Sequence, residues 1–292
     1  MLTTITRTAP AKVNLCLRVV GRRADGYHLL DSIFAAVDLH DRLTISVART
    51  RGATNVTVTC DYPGVPNDET NLATRAARAL LERCDIAADV RITIEKCIPP
   101  GAGLGGGSSN AATVLTALHD LLDLRVAEND LAALALSLGA DVPFFLVGGC
   151  ARVRGIGERI DPIPGWPGHE LVVALPPVAV STAWAFRSYG GGYTPNPAEP
   201  ALMSASERLE PAHMRNDLEP VVRDAYPEVA AASRGLLTAG ATATVMSGSG
   251  AAVVGLCPSG ATRTVRAAFA AAHPGTVVYE TRILPPGGPL IG

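Results

Sequence analysis

The sequence predicts an α+β protein of two domains, on three observations. An alternating strand near residue 90 runs into a glycine-rich loop and then a helix. A Pro/Gly-rich passage, Asp161-Pro162-Ile163-Pro164-Gly165-Trp166-Pro167-Gly168, divides the chain. Beyond it, two short apolar strands flank a second glycine turn, Ser247-Gly248-Ser249-Gly250. With the boundary at the Pro/Gly passage, the domains cover residues 1–162 and 163–292.

The first strand spans about residues 11–20, where Ala11, Val13, Leu15, Leu17 and Val19 form one apolar face. Lys12 and Asn14 share the opposite face and present an amine and an amide toward the same space. On spacing alone an ordinary solvent-facing side is the plainer reading. In the following Gly21-Arg22-Arg23-Ala24-Asp25-Gly26-Tyr27-His28, Asp25-Gly26 marks a turn. Tyr27-His28 sets a flat ring beside an imidazole, a pair suited to recognising a base but more commonly used for packing and a surface hydrogen bond. Strands at about 42–48 and 54–60 and a helix at about 70–83 come next.

Val90, Ile92 and Ile94 alternate with Arg91, Thr93 and Glu95 as a half-buried strand leading to Pro99-Pro100-Gly101-Ala102-Gly103-Leu104-Gly105-Gly106-Gly107-Ser108-Ser109-Asn110. Ala111, Val114, Leu115, Leu118, Leu121 and Leu122 then recur at helical spacing to about residue 122, with Ser108, Ser109 or Asn110 as the N-cap. Five glycines in seven positions leave consecutive backbone N–H groups free to face one concavity, and the helix start adds its unpaired N–H groups and positive dipole end. Phosphate is the natural occupant. The loop lacks the Gly-Lys-Ser/Thr ending of a P-loop. Gly101, Gly103 and Gly106 match G-x-G-x-x-G, but Pro99-Pro100 intervenes after the strand, and Asp120 and Asp123 fall on the same helix instead of after a second strand. A flexible linker does not open into a continuous apolar helical stripe.

A further helix at about 128–138 ends at Gly139, with Pro143 preventing its continuation, so Asp141 lies in a tight turn. A carboxylate amid so much apolar sequence must be paired, open to a cavity, or bonded to turn amides. An Asx-type turn and a catalytic role stand level at this point. The second half opens with the apolar strand Leu171–Leu175. Gly190-Gly191-Gly192-Tyr193-Thr194-Pro195-Asn196-Pro197 reads as a mobile connection, and strands at about 242–246 and 251–256 enclose the second glycine turn.

With 292 residues, 48% hydrophobic and 18% charged, the chain is long enough for two cores. A net charge of −2 and no basic run argue against nucleic acid as a partner. Cys16, Cys60, Cys84, Cys97, Cys150 and Cys257 form no C-x-x-C pair, which weakens metal and disulfide readings. No apolar stretch is long and unbroken enough to predict a membrane span. A reducing cytoplasm is the expected compartment.

Pro10-Ala11-Lys12-Val13-Asn14-Leu15, Arg23-Ala24-Asp25-Gly26-Tyr27-His28, the 100–112 loop, Gly139-Ala140-Asp141-Val142-Pro143 and Ser247-Gly248-Ser249-Gly250, in this order, closely resemble the GHMP small-molecule kinases. The resemblance spans nearly the whole chain. It implies a ribosomal-protein-S5-like N-terminal domain and a ferredoxin-like C-terminal domain with the active site between them. Asp-Gly-Tyr-His and Lys-x-Asn-Leu point to the members that transfer the ATP γ-phosphoryl to the 2-hydroxyl of 4-diphosphocytidyl-2-C-methyl-D-erythritol, in non-mevalonate isoprenoid precursor synthesis. The alternatives are a family member of homoserine or mevalonate type, or a non-catalytic nucleotide-binding protein.

By that resemblance Lys12 and Asp141 are the catalytic pair. Pro99, Gly101, Gly103, Leu104, Gly105, Gly106, Gly107, Ser108 and Ser109 hold the triphosphate, with Asn71 and Lys96 on the adenine side. An N-cap role for Asn71 is the competing reading. Mg²⁺ arrives with ATP, and Ser108 or Ser109 is the hydroxyl able to touch it, a helix-capping role being the competing reading. Asn14 and Thr182 lie near the substrate polyol or phosphates, and Tyr27, His28 and Phe186 contact cytosine. Ala102 stands where some relatives carry glycine, and a Cβ fits there only at negative φ. The tract 187–215 matches poorly and receives no role.

Overall fold

The computed structural model describes residues 2–163, 166–193, 209 and 211–285. Its frame is a long antiparallel ribbon, β1 (Thr3–Arg22) with β2 (His28–Arg49), running in register from Thr3↔Val47 to Arg22↔His28 with three register shifts. Both strands extend well past the 11–20 and 42–48 expected from alternation. The reason lies in burial: residues 31–37 are covered on both faces, so the period-2 signal disappears there.

Around the ribbon stand β3 (Asn55–Cys60), β4 (Ala88–Glu95), β5 (Cys150–Gly155) and β6 (Arg159–Ile163). The sheet order is β3-β4-β2-β1, with β5 pairing β2 and β6. Helices α1 (Leu72–Arg83), α2 (Gly106–Leu121), α3 (Glu128–Leu138) and α4 (Val142–Val147) belong to the same half. The stripe read from the sequence is the buried one: Ala111, Val114, Leu115 and Leu118 are fully enclosed, in one core with Leu80, Ile92 and Phe144. Truncating such a leucine costs about 2–5 kcal/mol.

The second half builds its own antiparallel sheet from β7 (Glu170–Leu175), β9 (Ala243–Met246), β10 (Val253–Leu256) and β11 (Val277–Arg282). The order β11-β7-β10-β9 is fourth-first-third-second among these strands, the split βαβ arrangement of a ferredoxin-like unit. Its helices are α5 (Thr182–Ser188), α6 (Glu219–Ala225), α7 (Pro227–Thr238) and α8 (Thr262–Ala272). Between β7 and β9 in the chain, the short β8 (Arg215–Asn216) leaves this half and pairs in parallel with β1 at Cys16↔Arg215.

The two sheets face each other. Ala11, Val13, Leu15, Ile33 and Val37 meet Leu171, Val173, Val245 and Val254 in a shared core. The other face of the second sheet, with Val172, Ala174 and Val253, packs on Leu236 and Phe269 of α7 and α8. β7 is thus apolar on both faces, which is why Leu171–Leu175 reads as an unbroken apolar run. Residues 164–165 of the Pro/Gly passage, and 194–197 of the expected mobile connection within the 187–215 tract, lie outside the described residues.

Candidate active site

Lys12 and Asn14 are 3% and 2% exposed, so their face of β1 is buried, contrary to the solvent-facing reading. The loop and the second half of the chain cover that face. The Lys12 ammonium donates to Asn14 Oδ1 at 2.7 Å, lies 3.4 Å from Asp141 Oδ2 and sits 4.4 Å over the Phe34 ring centroid. Asn14 Nδ2 donates to Ser32 Oγ at 3.0 Å, and the Asn14 backbone N–H to Ser247 Oγ at 3.1 Å. Both ends of this amide are therefore engaged within the protein, and its observed work is to hold Lys12.

Asp141 precedes α4, its φ of −88° and ψ of −13° allowing Val142-Pro143 to begin that helix. The carboxylate makes no capping bond, which sets the Asx-turn reading aside, and its side chain is 34% exposed. It is paired with a buried cation and open on the other side.

The glycine loop reaches this pair through its backbone: Lys12 N–H donates to the Leu104 carbonyl at 2.9 Å. Gly105, with φ of +70°, is the N-cap of α2, and it caps with no side-chain bond. Ser108, Ser109 and Asn110 consequently lie inside the helix and are not caps, a correction to the expected start. The left-handed turn at Gly105 redirects the chain one turn earlier than a hydroxyl cap would, with Lys12 Cγ and the Phe145 ring packed where a Cβ would stand. Ala102 keeps a negative φ between left-handed Gly101 and Gly103, and its methyl is buried. Gly101 and Gly107 are exposed, Ser108 is half-buried, and the Ser109 hydroxyl is fully enclosed without a partner among the described residues.

The second glycine turn closes on the loop. Ser247 Oγ donates to the Gly103 carbonyl at 3.0 Å, and Ala252 N–H to the Ala102 carbonyl at 3.2 Å. Asn216 Nδ2 donates to the carbonyls of Met246 and Gly248, both at 2.7 Å, fixing the turn from behind. Thr182 Oγ1 lies 2.8 Å from Ser249 Oγ at the start of α5.

Farther along the ribbon, His28 stacks on Phe186 with centroids 5.3 Å apart and meets Tyr189 edge-on at 6.3 Å. Tyr27 is 64% exposed. Burial, helped by the Arg22 charge, holds the His28 imidazole below its ordinary pKa.

Asn71 and Lys96 are engaged elsewhere in the protein. Asn71 caps α1, accepting from Ala73 N–H at 2.9 Å and donating to the Pro66 carbonyl at 2.7 Å. Lys96 Nζ pairs with Asp41 Oδ2. Asp41, Phe34, Ser247 and Asn216 have no individual place in the sequence reading. No spacing pattern marks them, since each gains its role through contacts between distant segments. Among the described residues no group of three His, Cys, Asp or Glu is placed to hold a metal, and no helix is long and apolar enough to cross a membrane.

Two sheets closing a glycine loop onto a lysine–aspartate pair define a small-molecule kinase of the GHMP type, and the chain belongs to that family. Its models match here as "GHMP kinases N terminal domain" over residues 71–149 and "GHMP kinases C terminal" over 198–275. Within it, the chain belongs to the 4-diphosphocytidyl-2-C-methyl-D-erythritol kinases. It is 40% identical to the protein of that name from Gloeobacter violaceus, over 94% of this chain and 93% of the relative. The one from Citrifermentans bemidjiense is 44% identical, over 84% and 86%. A crystal structure of 4-(cytidine 5'-diphospho)-2C-methyl-D-erythritol kinase superposes with a TM-score of 0.82 at 39% identity, covering 97% of this chain and 100% of that one. Homoserine kinase from Cytophaga hutchinsonii, at 21% identity and a TM-score of 0.73 over 98% and 96%, shares the fold.

Proposed function

We propose that this chain transfers the γ-phosphoryl of ATP to the 2-hydroxyl of 4-diphosphocytidyl-2-C-methyl-D-erythritol, giving the 2-phosphate and ADP. The observation that carries this reading is the Lys12–Asp141 pair, buried on the lysine side and open on the aspartate side, beside the glycine loop. We place the division between the two domains directly after β6, one residue past the expected 162/163 boundary because Ile163 still pairs with Cys150 in the first sheet, and the acceptor and nucleotide meet between the two domains.

A tertiary alcohol is a poor nucleophile until its proton is accepted. Asp141 takes that proton as the oxygen bonds to the γ-phosphorus and the bond to the β–γ bridging oxygen breaks, leaving ADP. Lys12 holds Asp141 in place and offsets the charge spread over the transferred phosphoryl oxygens. Leu104 and Asn14 fix Lys12 from its backbone and its ammonium end. Backbone N–H groups between Gly101 and Ser108 bind the triphosphate. Mg²⁺ bound to ATP neutralises phosphate charge, and Ser108, half-buried at the loop end and facing Gly139, is the hydroxyl that would hold it.

The cytidine end lies at the ring group of His28 and Phe186, with Tyr27 exposed beside them and able to close on a base. A neutral imidazole can both donate to and accept from a pyrimidine edge. Thr182, beside Ser249, serves the polyol and diphosphate. This reading has the chain act in the cytoplasm on a small-molecule substrate.

The test is ADP release with MgATP and a panel of 4-diphosphocytidyl-2-C-methyl-D-erythritol, its uridine analogue, homoserine and mevalonate. Turnover confined to the cytidine compound is expected. Turnover with homoserine or mevalonate alone would overturn the reading of His28 and Phe186, and silence across the panel would overturn the enzyme.

A further inference from the structure

Asp41 is completely buried and accepts four hydrogen bonds. Its Oδ1 accepts the backbone N–H groups of Cys97 and Ile98, both at 2.8 Å. Its Oδ2 accepts Lys96 Nζ at 2.5 Å and Asn110 Nδ2 at 2.8 Å. These donors lie on the two sides of the glycine loop: residues 96–98 lead out of β4, and Asn110 sits in the second turn of α2. The register explains the placement, because β2 and β4 pair up to Arg42↔Glu95, leaving Asp41 one step beyond the last pair where the chain departs.

Five glycines in seven positions make ordering this loop costly in backbone freedom, so its N–H groups converge on a phosphate only if both ends are held. One carboxylate holds both. Lys96 is consumed in the same arrangement: its side chain is 3% exposed, facing a carboxylate that is 0% exposed. Gly106 completes the packing, since a Cβ there would stand 2.8 Å from Lys96 Nζ and 2.9 Å from Ile98 Cγ2.

We infer that Asp41 is a positioning residue for the nucleotide loop, clamping its entry and its helix through Cys97, Ile98 and Asn110, and that Lys96 serves ATP through Asp41 instead of reading the adenine. The inference rests on the proposed ATP-dependent reaction. It assigns Asp41 to nucleotide affinity and leaves the acceptor side untouched.

The experiment measures KM for ATP, inosine triphosphate and the cytidine acceptor, together with calorimetric ATP binding, in wild type, Asp41→Asn, Lys96→Met and the double variant. The double variant leaves no unpaired buried charge and keeps the comparison available where a single variant does not fold. In every folded variant, KM for both triphosphates and the dissociation constant for ATP should rise at least tenfold by the same factor, with the acceptor KM within twofold of wild type. A Gly106→Ala variant should change the same quantities in the same direction.

Unchanged triphosphate KM, with only a lower melting temperature or a smaller active fraction, would reduce Asp41 to a purely structural role and overturn the inference. A collapse of the ATP preference over inosine triphosphate in Lys96→Met would overturn it from the other side, by showing that Lys96 reads the base. A wild type that binds no triphosphate would defeat the kinase reading itself, whereas variants matching a wild type that binds ATP defeat the clamp alone.

Discussion

Lys12 Nζ stands 3.4 Å from Asp141 Oδ2, with the lysine side chain 4% exposed and the aspartate side chain 34% exposed. The asymmetry suits phosphoryl transfer, because the cation is fixed and desolvated while the carboxylate keeps an open side for an incoming hydroxyl. Asp141→Asn keeps the size and removes the proton acceptor. Turnover should fall at least about a hundredfold with ATP binding retained, within the range of a general base. Steady-state kinetics beside calorimetric ATP binding checks this, and near-normal turnover would remove Asp141 from the mechanism.

Lys12→Met tests the other member of the pair. It keeps the stem packed beside Gly105 and deletes the ammonium, leaving the buried Asn14 Oδ1 with only the longer 3.4 Å contact from Ser247 Oγ. A fall in kcat of at least about a hundredfold is expected, together with a stability loss of about 1–3 kcal/mol from the amide oxygen's lost charged donor. Urea unfolding read alongside kcat separates the two effects.

The lowered pKa of His28 gives a signed pH dependence. The unfolded imidazole titrates near 6.5 and the folded one below it, so the unfolded state holds more protons between the two values. The contribution of His28 to stability is therefore present above 6.5 and lost as pH falls through the folded value. Acceptor KM should follow the same direction, flat at and above pH 6.5 and rising only below it, while ATP KM stays level. A His28→Phe variant should lose the rise. An acceptor KM that already climbs above 6.5 in the wild type would contradict the neutral imidazole.

Two loop glycines should respond differently to the same change. Both have positive φ, +69° at Gly101 and +80° at Gly103. A Cβ at Gly101 meets nothing within 4 Å, whereas one at Gly103 runs into the Ser247 carbonyl oxygen. Gly101→Ala should cost only the backbone term, about 1–2 kcal/mol. Gly103→Ala adds a backbone clash across the two domains and should cost more than about 3 kcal/mol while weakening ATP binding. Equal losses in urea unfolding would show that the loop moves freely from the second glycine turn.

Local periodicity and glycine placement by themselves determined a good deal of this protein: α1, α2 and α3, the alternating β4, the glycine loop at the start of α2, the α+β class and the second glycine turn with β9 and β10. Each depends on interactions within a few residues, which spacing reports directly. Tertiary structure decided what distant segments cover. Residues 31–37 became strand although their alternation is masked by burial on both faces, and the Lys12–Asn14 face turned inward because the loop and the second half close over it. Asn14 meets Ser247 across 233 residues of chain, and Asp41 meets Asn110 across 69. Such contacts leave no periodic trace, because a hydrogen bond between distant residues constrains only the two positions that form it. Asp141 was legible as a turn carboxylate and, by resemblance, as the partner of Lys12, but its open side and the hydrogen bonds that tie both sides of the glycine loop to Asp41 exist only once the sheets have packed.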